Sequence, residues 1–132
     1  MKKALPLMWR LINERYNLVG SLCQTCNTQY FPSRRVCPKC RRKGKLVPQN
    51  MPREGEIYSF TQVHAAPAGF EYETPYFMAI IQLSNGVRVL SQIVDSPAEK
   101  VKLGAKAVMV FRKIFAGDDE DAIAYGFKFK IV

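Results

Sequence analysis

The residues best suited to chemistry are four cysteines in two Cys-X-X-Cys pairs, and the chain contains no others. Cys23 pairs with Cys26, and Cys37 pairs with Cys40. A structural zinc site takes four soft ligands in a tetrahedron, and each Cys-X-X-Cys turn supplies two thiolates from one tight loop. Residues 28–36 can form a small hairpin that brings the pairs together. The spacing therefore predicts one zinc ion per chain bound by these four thiolates.

The amino-terminal residues do not predict a signal peptide. Two lysines precede a short apolar run, but Pro6 and Arg10 interrupt that run and no small-residue cleavage site follows. No stretch approaches the about 18 uninterrupted apolar residues that a membrane span requires. We therefore expect a cytoplasmic protein without a membrane segment, whose cysteines stay reduced.

Three other uses of four cysteines compete with zinc. Two disulfides fit poorly with a reducing cytoplasm, and a thioredoxin-like redox role requires one pair near a βαβ unit, which this sequence lacks. Iron is the main alternative, because a rubredoxin-type site has the same four thiolate ligands. With cysteine at all four positions, the metal keeps none open for water or substrate. The sequence thus predicts a structural metal, zinc rather than iron.

Other polar residues do not combine into a predicted catalytic site. His64 is the only histidine, and a lone histidine with no free cysteine nearby makes a poor nucleophile-base pair. We expect it at the polar end of a strand. Glu71 and Glu73 are expected in a loop, and the acidic run Asp118 to Asp121 at a hairpin tip. No catalytic residue is predicted, and we expect the chain not to be an enzyme.

The positive charge of the chain is concentrated in its first part. Residues 1–53 hold 12 Lys or Arg against one acid, whereas residues 54–132 hold eight against ten. This asymmetry indicates an anionic partner for the first part, such as nucleic acid, a phosphorylated cofactor or an acidic protein face. A solvated basic surface is the alternative. The cluster on or beside the cysteine pairs comprises Arg34, Arg35, Lys39, Arg41, Arg42 and Lys43.

Ahead of the cysteines, residues 5–18 predict a short amphipathic helix. Leu5, Met8, Ile12 and Tyr16 recur at helical spacing, with polar residues between them. So short a helix is marginal alone, so its apolar side needs a surface on its own fold or on a partner. After the cysteines, the polar stretch 41–56 contains Pro48, Pro52 and Gly55 and predicts a connector.

The remaining residues alternate as β-strands. The last strand is the clearest, because apolar side chains occupy every second position from Ile123 to Ile131. A brief helix is predicted from Pro97 to Gly104, between the third and fourth strands. Five antiparallel strands with such an insert match an OB-fold barrel, although a five-stranded sandwich would give the same pattern. The predicted strands are 56–64, 75–83, 87–94, 105–115 and 122–132.

These predictions divide the chain of 132 residues into three parts. An amino-terminal helix occupies residues 1–20, a rubredoxin-like zinc ribbon residues 21–47, and an OB-fold domain residues 48–132. The predicted fold class is therefore mainly β. A length of this size suits one modest domain with a small appendage.

The ordered segments "RYNLVGSLCQTC", "YFPSRRVCPKC", "GEIYSFTQVH", "PYFMAIIQL" and "AYGFKF" resemble the acyl-CoA-associated OB-fold family with an amino-terminal rubredoxin-like zinc ribbon. The resemblance covers nearly the whole chain. One departure is Asn27 after the second cysteine, where such turns often have glycine. Asparagine tolerates a left-handed backbone, so we expect the turn to be kept.

The resemblance implies a non-catalytic scaffold for acyl-CoA enzymes. Its archaeal members bridge an acetoacetyl-CoA thiolase and a hydroxymethylglutaryl-CoA synthase, with the helix and ribbon docking and the barrel helping to shape the coenzyme site. The phosphates of coenzyme A suit arginine forks, so Arg34, Arg35, Arg41 and Arg42 are the expected CoA-binding or partner-binding residues. Single-stranded nucleic acid is the alternative ligand. Against it, the strand half carries more acidic than basic residues.

Overall fold

The computed structural model describes residues 4–115 and 122–132. The predicted hairpin tip at Asp118 to Asp121 lies outside the described residues. No helix in the described part is long and apolar enough to cross a membrane. The elements are α1 (Leu5–Arg10), α2 (Ile12–Asn17), β1 (Val19–Cys23), β2 (Gln29–Tyr30), β3 (Leu46–Asn50), β4 (Glu54–Val63), β5 (Tyr76–Leu83), β6 (Arg88–Ile93), a 3₁₀ helix (Ala98–Lys100), β7 (Lys106–Phe115) and β8 (Ala124–Ile131).

The predicted single helix is divided in two at Leu11. This residue leaves helical geometry, with φ −97° and ψ 7°. The two halves differ in packing, because α2 lies on β8 and its Tyr16 ring meets the Phe111 ring edge-on at 5.0 Å. Leu18 ends α2 in a left-handed conformation and is fully buried. The half of the apolar stripe nearer the cysteines therefore packs on the barrel of the same chain.

The cysteine region is built on a three-stranded antiparallel sheet in the order β2-β1-β3. Its third strand corrects the prediction of an unstructured connector over residues 41–56. Pro48 lies opposite Ser21 in this strand, and proline is tolerated there because β3 is an edge strand. The predicted boundary between residues 47 and 48 falls inside β3. Residues 19–50 are called the ribbon below.

The five predicted strands form a closed barrel in the order β4-β5-β6-β8-β7. Neighbouring strands are antiparallel except β6 and β8, which pair in parallel at Ile93 and Phe129. This closure distinguishes the barrel from the sandwich that the sequence left open, and it confirms the predicted fold class. The insert is shorter than predicted, since its helical turn ends at Lys100 and the backbone at Val101 is already extended.

Ribbon and barrel share one hydrophobic core. Leu18 and Met51, which immediately flank the ribbon, pack in the same buried cluster as Phe129 of the barrel. The Phe31 ring of the ribbon meets the Phe127 ring of β8 edge-on at 5.6 Å. The cysteine pairs are therefore held against the barrel by apolar contacts and not only by a covalent connection.

Candidate metal centre

The first cysteine pair lies in the turn between β1 and β2. The amide of Asn27 donates to the carbonyl of Cys23 at 2.7 Å, and the amide of Cys23 donates to the carbonyl of Thr28 at 2.9 Å. Asn27 has a φ of 59°, which confirms that asparagine supplies the left-handed residue of this turn. The hairpin is therefore formed around the first pair, and residues 28–36 do not form the separate hairpin that the sequence predicted.

The second cysteine pair repeats the geometry of the first. The amide of Arg41 donates to the carbonyl of Cys37 at 2.8 Å, and Arg41 has a φ of 53°. A Cβ on Gly44 would lie 2.7 Å from the Cβ of Cys37, so glycine is required where the chain passes back over the pair. Sequence reasoning predicted Arg41 as a CoA-binding or partner-binding residue and missed both its place in the cysteine turn and the role of Gly44, although a single glycine within a basic run was a usable signal.

The four sulfur atoms converge on one point. All four lie within 4.8 Å of one another, with 4.0 Å between Cys23 and Cys40 and 3.6 Å between Cys26 and Cys37. A tetrahedron with metal–sulfur bonds of about 2.3 Å has edges of about 3.8 Å. The spacing therefore fits a tetrahedral ion held by four thiolates, and the predicted ligand set is brought together as a metal site.

The local hydrogen bonds shift the pKa values of the cysteines in different directions. The Tyr30 hydroxyl, 3.4 Å from the sulfur of Cys37, donates to it and lowers the pKa of Cys37 to about 6. The hydrogen bond that Cys40 donates to the sulfur of Cys26 raises the pKa of Cys40 to about 12, and burial of the Cys40 thiol adds to this increase. Four thiolates this close repel one another unless a cation lies between them. The donor set thus suits a divalent metal.

The four arginines predicted to bind CoA or a partner are all exposed on the ribbon. Arg34 lies over the Tyr30 ring, with its guanidinium carbon 5.3 Å from the ring centroid. Its backbone amide donates to the hydroxyl of the buried Ser21 at 3.0 Å. Arg41 and Arg42 follow the second cysteine pair instead. The arginines are therefore carried on backbone that the ribbon sheet and the metal site position.

The remaining polar candidates lie away from the metal site. His64 is exposed just beyond the end of β4. Glu71 accepts hydrogen bonds from the amide of Gly69 within its own loop. Glu73 lies in the predicted loop but forms a long ion pair with the buried Lys128, at 3.7 Å. Sequence reasoning missed that pair, because Lys128 occupies a strand position that alternation assigns to the solvent side.

The first helix carries an exposed apolar surface. Leu5, Leu7 and Trp9 of α1 are 64%, 52% and 77% exposed. Within the described residues α1 has few contacts beyond α2, whereas α2 packs on the barrel. The docking surface is defined here as Leu5 and Trp9, which are four residues apart and therefore lie on the same side of α1. It lies on the half of the predicted amphipathic helix that the described residues do not cover.

Comparison with known proteins gives separate matches for the ribbon and for the barrel. The ChsH2 rubredoxin-like zinc ribbon family matches residues 14–46, and the ChsH2 C-terminal OB-fold family matches residues 48–112. A protein of Methanocaldococcus jannaschii named "DUF35 domain-containing scaffold protein" is 47% identical, over 92% of this chain and 86% of its own. The chain belongs to this DUF35 scaffold family. Its ribbon is accordingly a zinc-ribbon domain with four cysteines positioned to bind a metal.

More distant relatives of the DUF35 chain have enzyme names. It is 32% identical to the "Benzoylsuccinyl-CoA thiolase subunit BbsA" of Thauera aromatica, over 61% of this chain and 54% of that one. It is 26% identical to a "Probable enoyl-CoA hydratase alpha subunit" of Thermomonospora curvata, over 76% of this chain and 31% of that one. The solved "Ltp2-ChsH2(DUF35) aldolase" shares the fold, with a TM-score of 0.71, 22% identity and coverage of 99% of this chain and 96% of that one.

Proposed function

We propose that this DUF35 chain is a non-catalytic, zinc-binding accessory subunit that docks thiolase-type acyl-CoA enzymes. The observation that carries the proposal is the docking surface on α1. Exposed tryptophan and leucine side chains on a short helix cost solvation free energy in the free chain and are the residue types that anchor protein interfaces. A scaffold requires such a surface, whereas a self-contained enzyme does not.

The names of relatives supply the class of partner. The Methanocaldococcus relative is named a scaffold protein, and the Thauera relative is named a subunit of a CoA thiolase. The family resemblance further indicates acetoacetyl-CoA thiolase and hydroxymethylglutaryl-CoA synthase as the pair that is bridged. We therefore propose these two enzymes as partners, with the chain holding them close enough to help bind or pass on acyl-CoA.

The arginines of the ribbon are the proposed contacts for coenzyme phosphates or for an acidic enzyme face. Arg34, Arg35, Arg41 and Arg42 are exposed, and guanidinium groups bind phosphate oxygens in a bidentate manner. Zinc is the proposed metal, because tetrahedral four-thiolate sites of this spacing are typical of zinc ribbons. Its role is to fix the two cysteine turns, and with them the arginines.

Reconstitution with purified enzymes tests the proposal. Mixing the metal-loaded chain with acetoacetyl-CoA thiolase and hydroxymethylglutaryl-CoA synthase from the same organism should give a complex by size-exclusion chromatography with light scattering. Trp9→Ala should weaken it by about thirtyfold, as expected for a central aromatic anchor worth about 2 kcal/mol. Tyr72→Ala is the matched control, because Tyr72 is a fully exposed aromatic residue on the barrel.

Two results would contradict the proposed function. One is the absence of a complex with either enzyme at concentrations where the controls are well behaved. The other is thiolysis or condensation of acyl-CoA by the isolated chain after contaminating thiolase is excluded. Retention of oligonucleotides by the purified chain, in place of either enzyme, would instead favour the nucleic-acid alternative.

A further inference from the structure

A cleft lies on the barrel on the side where α2 packs. Strands β6 and β8 pair at Ile93 and Phe129, and residues on both strands ahead of that pairing line a cavity of about 410 Å³. Arg15 of α2 and Phe70 of the loop before β5 complete its rim. The volume lies within the range of about 300–1,000 Å³ that is typical of small-molecule sites.

The lining of this cleft combines apolar walls with positive charge. Phe70, Tyr76, Met78 and Leu90 contribute apolar surface. Among the described residues that line it, the charged side chains are Arg15 and Lys128, both cations. An apolar cavity whose charged groups are all positive favours a molecule with a hydrocarbon body and one anionic end.

Lys128 is the unusual group in the cleft. Its side chain is 6% exposed, and burial of an ammonium group costs free energy unless an acceptor replaces the lost water. The carboxylate of Glu73 lies 3.7 Å from its Nζ, beyond hydrogen-bond distance, and that carboxylate accepts from the amide of Gln92 at 3.0 Å instead. Lys128 therefore has a carboxylate partner in Glu73, held at ion-pair distance rather than in a short hydrogen bond.

We propose that this cleft binds small carboxylic acids with an apolar body. The hydrocarbon part packs against the aromatic and aliphatic walls, and the carboxylate accepts hydrogen bonds from Lys128 and Arg15. The site belongs to the isolated chain and does not involve the ribbon arginines. It is thus independent of whether the chain docks an enzyme, and it goes beyond the proposed scaffold function.

An amide NMR titration of the full, metal-loaded chain tests this site with four probes: butanoate, octanoate, phenylbutanoate and the neutral phenylbutanamide. The acids should give saturable shifts at the cleft positions of β6 and β8 at millimolar concentration. Phenylbutanoate should bind at least about tenfold more tightly than its amide, because a hydrogen bond to a charged group is stronger than a neutral one. No saturable shift with any acid, or equal affinity for acid and amide, would overturn the proposal.

Substitutions test whether Lys128 causes the preference of the cleft for the acid over the amide. Lys128→Met should reduce phenylbutanoate affinity by about ten- to hundredfold and leave phenylbutanamide affinity unchanged. Lys130→Met is the matched control, since Lys130 lies two residues further along the same strand but is exposed, and it should change neither. Glu73→Gln removes a competing negative charge and should tighten phenylbutanoate binding.

Opposite effects of Lys128→Met and Glu73→Gln on phenylbutanoate binding distinguish an anion site from a general loss of structure. If Lys128→Met fails to fold, the Glu73→Gln variant and the acid-to-amide ratio of the unmodified chain decide the outcome. Unchanged or weaker phenylbutanoate binding by Glu73→Gln, or unchanged binding by a folded Lys128→Met, would contradict the proposed role of Lys128.

Discussion

Ribbon and barrel bury different kinds of groups. In the ribbon the fully buried side chains are those of Cys23 and Cys37, two of the four cysteines. The side chain of Ser21 is almost as fully buried. In the barrel the fully buried side chains are hydrocarbon ones such as Ile81 and Phe129. The ribbon thus buries a set of four cysteines positioned to bind a metal, whereas the barrel buries apolar side chains. The ribbon should therefore respond most to loss of a cysteine, and the barrel to truncation of a buried apolar side chain, although the two regions share a core.

The surfaces of the two regions differ in the same way. The ribbon presents basic side chains on backbone fixed by the cysteine turns, whereas the chain from residue 54 onward holds more acidic than basic residues. A preorganised backbone reduces the entropy lost when its side chains bind a partner. This difference supports the proposed role of the ribbon arginines as contacts for coenzyme phosphates or an acidic enzyme face.

Loss of one ligand should give the largest effect. Cys37→Ser removes one of four thiolates, and metal binding to such sites is coupled to folding with about 10–16 kcal/mol in zinc-finger peptides. The variant should lose its one metal ion per chain, and the amide NMR signals of the ribbon should collapse. Signals of β5 and β6 should persist, at reduced stability, because the flanking residues Leu18 and Met51 couple the ribbon to the barrel core.

Thr25→Ala is the control for that experiment. Thr25 lies in the first cysteine turn, between Cys23 and Cys26, and is exposed; it is not one of the four ligands, although its hydroxyl donates to the carbonyl of Lys43. It should retain the metal. A Cys37→Ser chain with full metal content and a folded ribbon would contradict the metal-dependent account, as would freshly prepared, chelator-free native chain with less than half a metal ion per molecule.

Truncation in the barrel core should give the next largest effect. Phe129 is fully buried in the shared cluster, and Phe→Ala at such positions costs about 3–5 kcal/mol. We expect urea denaturation of Phe129→Ala to show this loss, with metal content unchanged under native conditions. The exposed neighbour Lys130 provides the control, since Lys130→Ala should stay within about 0.5 kcal/mol. A loss below 1 kcal/mol for Phe129→Ala would argue against the shared core.

The contrast between regions also explains what the sequence could predict. Strict alternation from Ile123 to Ile131 and the two Cys-X-X-Cys turns are local patterns, so the barrel strands and the metal ligands were both predicted from them. The ribbon strand β3 was missed, because proline and polar residues resemble a connector and its pairing partner β1 lies far away in sequence.

Long-range pairs were also beyond local patterns. Lys128 is buried because Glu73, Gln92 and α2 are brought around it by the closed barrel, and alternation alone assigned it to solvent. The break at Leu11 likewise separates an exposed helix from a packed one without any proline or glycine at the position. In both places tertiary contacts decide what residue type and spacing leave open.

Removal of ribbon charge should have the smallest effect on stability and a specific effect on binding. Arg34→Ala with Arg35→Ala removes two exposed cations, which should change the free energy of unfolding by less than about 1 kcal/mol. Binding of the partner enzyme or of CoA should weaken by about tenfold. The loss should shrink as salt rises, because exposed charges are screened over about 8 Å at physiological ionic strength.

A charge-matched double variant controls for net charge. Lys100→Ala with Lys102→Ala removes two exposed cations from the barrel insert and should leave partner and CoA binding intact. Fluorescence anisotropy at two salt concentrations measures both double variants. Partner and CoA binding unchanged in the arginine variant, together with lost oligonucleotide binding and a steep salt dependence, would reverse the order of the two candidate functions.

Hydrogen–deuterium exchange of the chain with and without the purified acetoacetyl-CoA thiolase tests the central claim most directly. Docking through the exposed helix predicts new protection in α1 and in the ribbon around residues 34–42, with exchange in the barrel strands β4 and β7 unchanged. Protection confined to the barrel, or no change anywhere at saturating enzyme, would contradict the account of this chain as a scaffold that docks through its helix and zinc ribbon.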